Sequence, residues 1–144
     1  SMLMAAVEEA RSSPVPPFLL AVTALTSLSQ ADIAKLGVID PVERWVERLA
    51  ETAFEAGIRG IVASAAELPM LRRKFQDQVQ VVVPGIRPSG SPAHDQSRAA
   101  TPRQAISAGA DYIVVGRPIL HSPDPAAAAD EIVEEIRRAL EPHK

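Results

Sequence analysis

The sequence predicts an α/β fold in which four parallel strands alternate with helices. Four such strand–helix units make up half of an eightfold barrel. Four short apolar runs are bounded by turn residues, and each is followed by a segment with helical periodicity. Strands that alternate with helices need crossover connections, which produce a parallel sheet. The runs show no polar alternation, as is typical of strands covered on both faces. The predicted strands lie at residues 18–24, 60–64, 79–83 and 111–115.

The helices of the first half are predicted from their end signals. A helix over residues 2–11 has no visible start signal, and a short helix is expected at 31–36 after the first strand. Asp40 and Pro41 begin a stronger helix, because aspartate favours the cap position and proline the first helical position. Gly57 ends that helix.

The helices of the second half carry clearer signals. Ser64 and Glu67 have the spacing of a capping box, so a helix is expected to begin there and to run to about residue 75. A long loop spans residues 84–100, after which Thr101-Pro102 begins another helix. A short loop after the fourth strand leads into the last helix, at 126–140.

Composition bounds the class of protein. The 144 residues can bury one core, so a single domain over residues 1–144 is expected. The net charge is −3 and aromatic residues make up 3% of the chain, which argues against a nucleic-acid partner. No apolar run is long enough to cross a bilayer, so no membrane partner is expected. The absence of cysteine fits a cytoplasmic protein. The dispersed histidines His94, His121 and His143 give no metal site.

Two turns with glycine, arginine and proline each follow an apolar strand. The first is the Gly-x-Arg-Pro segment Gly85-Ile86-Arg87-Pro88, and the second is Gly116-Arg117-Pro118, in which the glycine directly precedes the arginine. Glycine lets the backbone approach a ligand, and the arginine fork suits phosphate oxygens. Barrel enzymes often build a phosphate site from their last two strand–helix loops. The pair therefore predicts a phosphate site, although each turn alone would fit an ordinary tight turn with a surface arginine.

Four segments together resemble one family, orotidine 5′-monophosphate decarboxylase of the bacterial type, in the ribulose-phosphate-binding barrel group. The resemblance runs in order through nearly the whole chain and matches the family's strands five to eight. It therefore implies the C-terminal half of a TIM barrel. The segments are Leu20-Ala21-Val22-Thr23-Ala24-Leu25-Thr26-Ser27, Gly60-Ile61-Val62-Ala63-Ser64-Ala65-Ala66-Glu67, Pro84-Gly85-Ile86-Arg87-Pro88 with Asp95-Gln96-Ser97-Arg98 and Thr101-Pro102, and Gly109-Ala110-Asp111-Tyr112-Ile113-Val114-Val115-Gly116-Arg117-Pro118-Ile119.

The resemblance implies five substrate-binding residues. Thr26 occupies the position that hydrogen-bonds the pyrimidine, and Arg87 a phosphate-contacting position. Gln96 matches the loop residue that bridges phosphate and base, while Gly116 and Arg117 match the second half of the phosphate cradle. Taken alone, Thr26 would be read as a turn residue and Gln96 as a solvated loop side chain.

The chain departs from the family in one respect. The family's chemistry depends on a lysine–aspartate network around Asp-x-Lys-x-x-Asp, and none of Lys35, Lys74 and Lys144 lies in such a motif. We therefore expect that strands one to four, with this network, are missing from this polypeptide. No catalytic residue is assigned in it, and activity of the isolated chain is not expected.

The implied function is that of a lyase of pyrimidine biosynthesis, which converts orotidine 5′-monophosphate (OMP) to uridine 5′-monophosphate (UMP) without cofactor or metal. The expected ligands are these two nucleotides. A half barrel also exposes strand edges and an apolar face, so a homodimer is expected. Two alternatives stay open: a non-catalytic phosphate- or nucleotide-binding half barrel, and a structural half barrel that serves only assembly.

Overall fold

A computed structural model describes residues 1–88 and 98–141 of the chain. Within these ranges strands alternate with helices, as the sequence predicted. The four strands are β1 (Leu20–Val22), β2 (Gly60–Val62), β3 (Gln80–Val83) and β4 (Tyr112–Ile113). The helices are α1 (Met2–Ser12), α2 (Gln30–Lys35), α3 (Val42–Glu55), α4 (Leu68–Phe75), α5 (Pro102–Ser107), α6 (Arg117–Leu120) and α7 (Pro125–Leu140). Two 3₁₀ turns, Ala65–Glu67 and Gln76–Gln78, flank α4.

The strands form one parallel sheet in the order β1-β2-β3-β4. This confirms the predicted parallel arrangement and its spatial order. Each strand is shorter than predicted, since the regular ladder covers only part of each apolar run. Because all four strands run the same way, the loops that follow them meet at one edge of the sheet.

The two faces of the sheet differ sharply. Ala21, Ile61 and Val81 are register partners on the face that the helices cover, and the last two are fully buried. The opposite face, which we call the open face, carries the register row Val22, Val62, Val82 and Tyr112. Val22 is 61% exposed and Tyr112 54%. Helices α3 and α4 supply much of the core beneath the covered face, including Val46, Ala50, Leu68 and Leu71.

Two of the capping residues that the sequence predicted are confirmed, and one predicted cap is wrong. The Ser64–Glu67 capping box is present, and Thr101 forms another with Gln104. The prediction that Asp40 caps α3 was wrong. The side-chain oxygen of Gln30 accepts from the first N–H of that helix, at Val42, over 2.9 Å, while Asp40 pairs with Arg48. Gln30, which lies ten residues before Asp40, therefore takes the capping role.

The segment after β4 also differs from the prediction. The sequence predicted a short loop there, but Gly116 is followed at once by α6, a single turn of helix. Pro118 lies in its first turn, where a missing N–H costs nothing. Arg117 is thus the first residue of a helix and not the middle of an open turn.

Candidate functional site

The candidate site lies at the carboxyl edge of the sheet, where β3 and β4 end side by side. Val83 and Ile113 are register partners, and the N–H of Val114 donates to the carbonyl of Val83 over 2.9 Å. The chain then runs two or three residues further on each side to Gly85 and Gly116. The sheet register therefore brings the two arginine-bearing segments to adjacent positions at one edge.

Arg87 is buried there, with 8% of its surface exposed. Its Nη1 donates to the carbonyl of Ile86 over 2.7 Å, and its Nε has no hydrogen-bond partner. No carboxylate within residues 1–88 and 98–141 pairs with it. A buried charge without a counter-charge is unfavourable, so this guanidinium is suited to an anion.

The backbone around Arg87 is fixed by a second crossing of the chain. Its N–H donates to the carbonyl of Ala100 over 2.8 Å, and Ile86 and Ala100 form an isolated parallel bridge. Gly85, just before this bridge, has a φ of +77°, a conformation that glycine adopts without strain. The two ends of the segment between β3 and α5 are therefore held together at its base.

Gly116 and Arg117 form the neighbouring half of the site. Gly116 is the N-cap residue of α6, and a Cβ placed on it would meet no atom of the described residues within 4 Å. The space beside this backbone is therefore open to a ligand group. Arg117 already has an interaction partner in the chain.

Thr26 follows β1 and is buried, with 8% of its surface exposed. The segment before it is anchored to β2, because the hydroxyl of Thr23 donates to the carbonyl of Val62 over 2.8 Å. Thr26 thus belongs to the same edge of the sheet as the two arginines. Gln96, the fifth residue that the sequence indicated, lies outside the described residues.

Arg98 is a residue of this edge whose role the sequence analysis missed. Its side chain is 14% exposed and forms an ion pair with the buried carboxylate of Glu67. It also donates to the carbonyl oxygens of Leu25, over 2.9 Å, and Ala24, over 3.3 Å. The motif Asp95-Gln96-Ser97-Arg98 drew attention to this position, but partners so distant in sequence left no local signal.

Neither described lysine lies at the site. Lys35 pairs with Asp32 on α2, and Lys74 bridges Glu47 and Glu51 between α3 and α4. Hydrogen bonds to Glu47 and Glu51 raise the pKa of Lys74, and a hydrogen bond from Lys74 is the main cause that lowers the pKa of Glu47. The Lys74 pairs bridge two helices, the Lys35 pair lies within one, and neither lysine supplies a proton at the carboxyl edge.

No three His, Cys, Asp or Glu side chains in the described part of the chain are grouped so that they could hold a metal ion. None of the helices described above is both long and apolar enough to span a membrane.

Comparison with known proteins agrees with this geometry. Residues 1–132 match the sequence model of the orotidine 5'-phosphate decarboxylase / HUMPS family. A protein of Syntrophotalea carbinolica named orotidine 5'-phosphate decarboxylase is 49% identical over 132 residues, which is 92% of this chain and 54% of the relative. A protein of the same name from Rhodopseudomonas palustris is 51% identical over 134 residues, 93% of this chain and 56% of the relative.

A solved structure has the same fold. The crystal structure of orotidine 5'-phosphate decarboxylase from Lactobacillus acidophilus matches with a TM-score of 0.76 and 34% identity, over 94% of this chain and 58% of that one. The chain spans about half the length of the relatives it matches, and its four strand–helix units correspond to half of the TIM barrel. This chain belongs to the orotidine 5'-phosphate decarboxylase / HUMPS family.

Proposed function

We propose that this chain is the C-terminal, phosphate- and base-binding half of an orotidine 5′-phosphate decarboxylase, and that its ligands are OMP and UMP. Thr26 and Gln96 would contact the pyrimidine side of the nucleotide, whereas Arg87, Gly116 and Arg117 would hold the phosphate. A cytoplasmic location and a homodimeric assembly belong to the same proposal.

The observation that carries the proposal is the state of Arg87. Its guanidinium is buried, has an unpartnered Nε and lacks a carboxylate partner among the described residues. A phosphate would give this guanidinium both an acceptor for its Nε and a negative charge. The open space beside Gly116, which follows the adjacent strand β4, supplies room for the same group.

Contacts of this kind serve catalysis without touching the reacting carbon. The phosphate, and the edge of the pyrimidine opposite C6, are remote from the carboxylate, so binding energy gained there goes into positioning the substrate. Loss of carbon dioxide would leave negative charge at C6, and that carbon needs a proton donor and an electrostatic partner. The two described lysines, Lys35 and Lys74, are held by carboxylates on helices, so we assign this chemistry to groups in the other half of the barrel.

Calorimetric titration of the purified chain with UMP tests the proposal. UMP is expected to bind, and uridine, which lacks the phosphate, is expected to bind far more weakly. Arg117→Ala should weaken UMP binding by roughly 1.5–3 kcal/mol, the usual scale for a hydrogen bond to a charged group. Arg103→Ala, which removes an exposed arginine from α5, is the matched control and should leave the affinity unchanged.

The same titration separates the alternatives. Equal affinity for UMP and uridine, or an unchanged affinity in Arg117→Ala, would refute the phosphate site. Tight binding of inorganic phosphate with no further gain from the nucleotide would favour a phosphate-binding module instead.

A further inference from the structure

Arg98 joins three separate loops at the carboxyl edge. Nη1 binds Glu67, which precedes α4, and Nη2 binds the carbonyl oxygens of Ala24 and Leu25, which follow β1. Arg98 itself belongs to the segment between β3 and α5. One side chain therefore connects the ends of three strands.

The carboxylate partner is itself fixed in place. The Oε2 atom of Glu67 accepts from the backbone N–H of Ser64 over 2.9 Å, which completes the capping box at the end of β2. The Oε1 atom is the one that Arg98 uses. Glu67 is thus a rigid anchor, and the position of the Arg98 side chain follows from it.

Two further hydrogen bonds connect Arg98 and its partners to Arg87 and to the turn that contains Thr26. Ala100, two residues after Arg98, accepts from the N–H of Arg87 over 2.8 Å. On the other side, Leu25 accepts both from Arg98 and from the N–H of Leu28, which closes the turn that contains Thr26. A short chain of contacts therefore runs from the phosphate-side arginine to the base-side threonine.

We propose that Arg98 is a positioning residue, which holds Thr26 and Arg87 in register so that the base and the phosphate of one nucleotide are bound together. This inference rests on the proposed function. The partners of Arg98 lie in different directions from it and belong to different loops. The planar fork of an arginine can donate to all of them, whereas the single ammonium group of a lysine cannot. A merely stabilising ion pair would not need the two carbonyl contacts.

Hydrogen exchange tests the coupling without any ligand. In Arg98→Lys, the amides of Leu28 and Arg87 should both exchange at least about tenfold faster than in the wild type. The amide of Ile58, which donates to Ala53 at the end of α3, is the internal control and should keep its rate. Equal acceleration of all three amides would indicate simple destabilisation and overturn the inference, as would acceleration of Arg87 alone. Glu67→Gln, which keeps the shape of the anchor and removes its charge, should reproduce the pattern if Arg98→Lys folds poorly.

Nucleotide titration tests the consequence. Arg98→Lys should weaken UMP binding about tenfold and inorganic phosphate binding less, since only UMP uses both sides of the site. Thr26→Ala should cost much less affinity in Arg98→Lys than in the wild type, because the threonine is already misplaced. Fully additive losses would overturn the inference and leave the proposed function standing. A wild-type chain that binds no UMP would overturn the proposed function, and the positioning role with it.

Discussion

The N–H of Val114 donates to the carbonyl oxygen of Val83, and this bond extends the β3–β4 pairing that sets two arginine-bearing segments side by side. Each segment begins where its strand ends, so their spacing is fixed by the register of the sheet and not by the loops. A ligand that binds both arginines would therefore be held by loops that the sheet positions.

The first prediction concerns stabilisation by an anion. Inorganic phosphate should raise the midpoint of thermal unfolding, because a ligand bound only by the folded state at ten times its Kd adds about 1.4 kcal/mol. The effect should vanish in the Arg87→Gln, Arg117→Ala double variant. Chloride at equal ionic strength is the control, and an equal shift with chloride would show that only screening is at work.

The second prediction concerns the packing of β1 on β2. A Cβ at Gly60 would lie 2.7 Å from both the carbonyl oxygen of Leu19 and the ring of Phe18. Backbone cannot move aside cheaply, so Gly60→Ala should lower the free energy of unfolding by about 1–3 kcal/mol. Chemical denaturation measures this loss. An unchanged midpoint would mean that the two strands are not packed as closely as described.

The third prediction concerns the pH dependence of the α3–α4 bridge. The lowered pKa of Glu47 stabilises the fold above its ordinary value of 4.5, and this contribution is lost as pH falls through the lower folded value. The raised pKa of Lys74 stabilises below 10.5, and this contribution is lost as pH rises through the higher folded value. Lys74→Met should therefore melt below the wild type at pH 7, and the difference should shrink at pH values under 4.5.

Lys35→Met is the control for that experiment, because Lys35 makes one exposed pair on its own helix. Its effect should be smaller than that of Lys74→Met at pH 7. A gap between wild type and Lys74→Met that stays constant down to pH 3 would rule out the ionic cause.

The fourth prediction concerns the open face of the sheet. Leu20, Val22, Tyr112 and Val114 are each about half exposed or more and carry no charge. Contiguous apolar surface of this kind favours association, so the chain should sediment as a dimer at micromolar concentration. A permanent interface would bury on the order of 2,000 Å².

A charge placed on the open face provides the test. Val22→Lys should shift the chain towards monomer, whereas Val15→Lys, on an exposed loop outside the sheet, should not. A wild-type chain that stays monomeric at high concentration would refute the prediction.

Much of the fold followed from local signals. The parallel sheet was predictable because each strand is a short apolar run, and α4 and α5 because their capping boxes lie within four residues of sequence. The cap of α3 and the short helix α6 were not. Gln30 reaches α3 from another helix, and Pro118 reads equally well as a chain stop or as a first helical residue.

The residues of the candidate site likewise fall into those that the sequence indicated and one that it did not. Arg87 and Arg117 were visible through a repeated turn motif at strand ends. The role of Arg98 was not, since its partners Glu67, Leu25 and Ala24 lie 31, 73 and 74 residues away. Such a contact depends on three loops converging, which no single stretch of sequence records.

We propose that this chain supplies substrate binding, while the proton donor and the charged network lie in the other half of the barrel. The most direct test of this proposal follows the fall in OMP absorbance for the chain alone and after addition of the segment of the Syntrophotalea carbinolica relative that this chain does not match. We expect no turnover by the chain alone, turnover in the mixture, and a strong loss of that turnover with Arg117→Ala. Turnover by the chain alone within the ordinary enzymatic range of about 1–10³ per second would contradict the proposal, as would full activity of the mixture with Arg117→Ala.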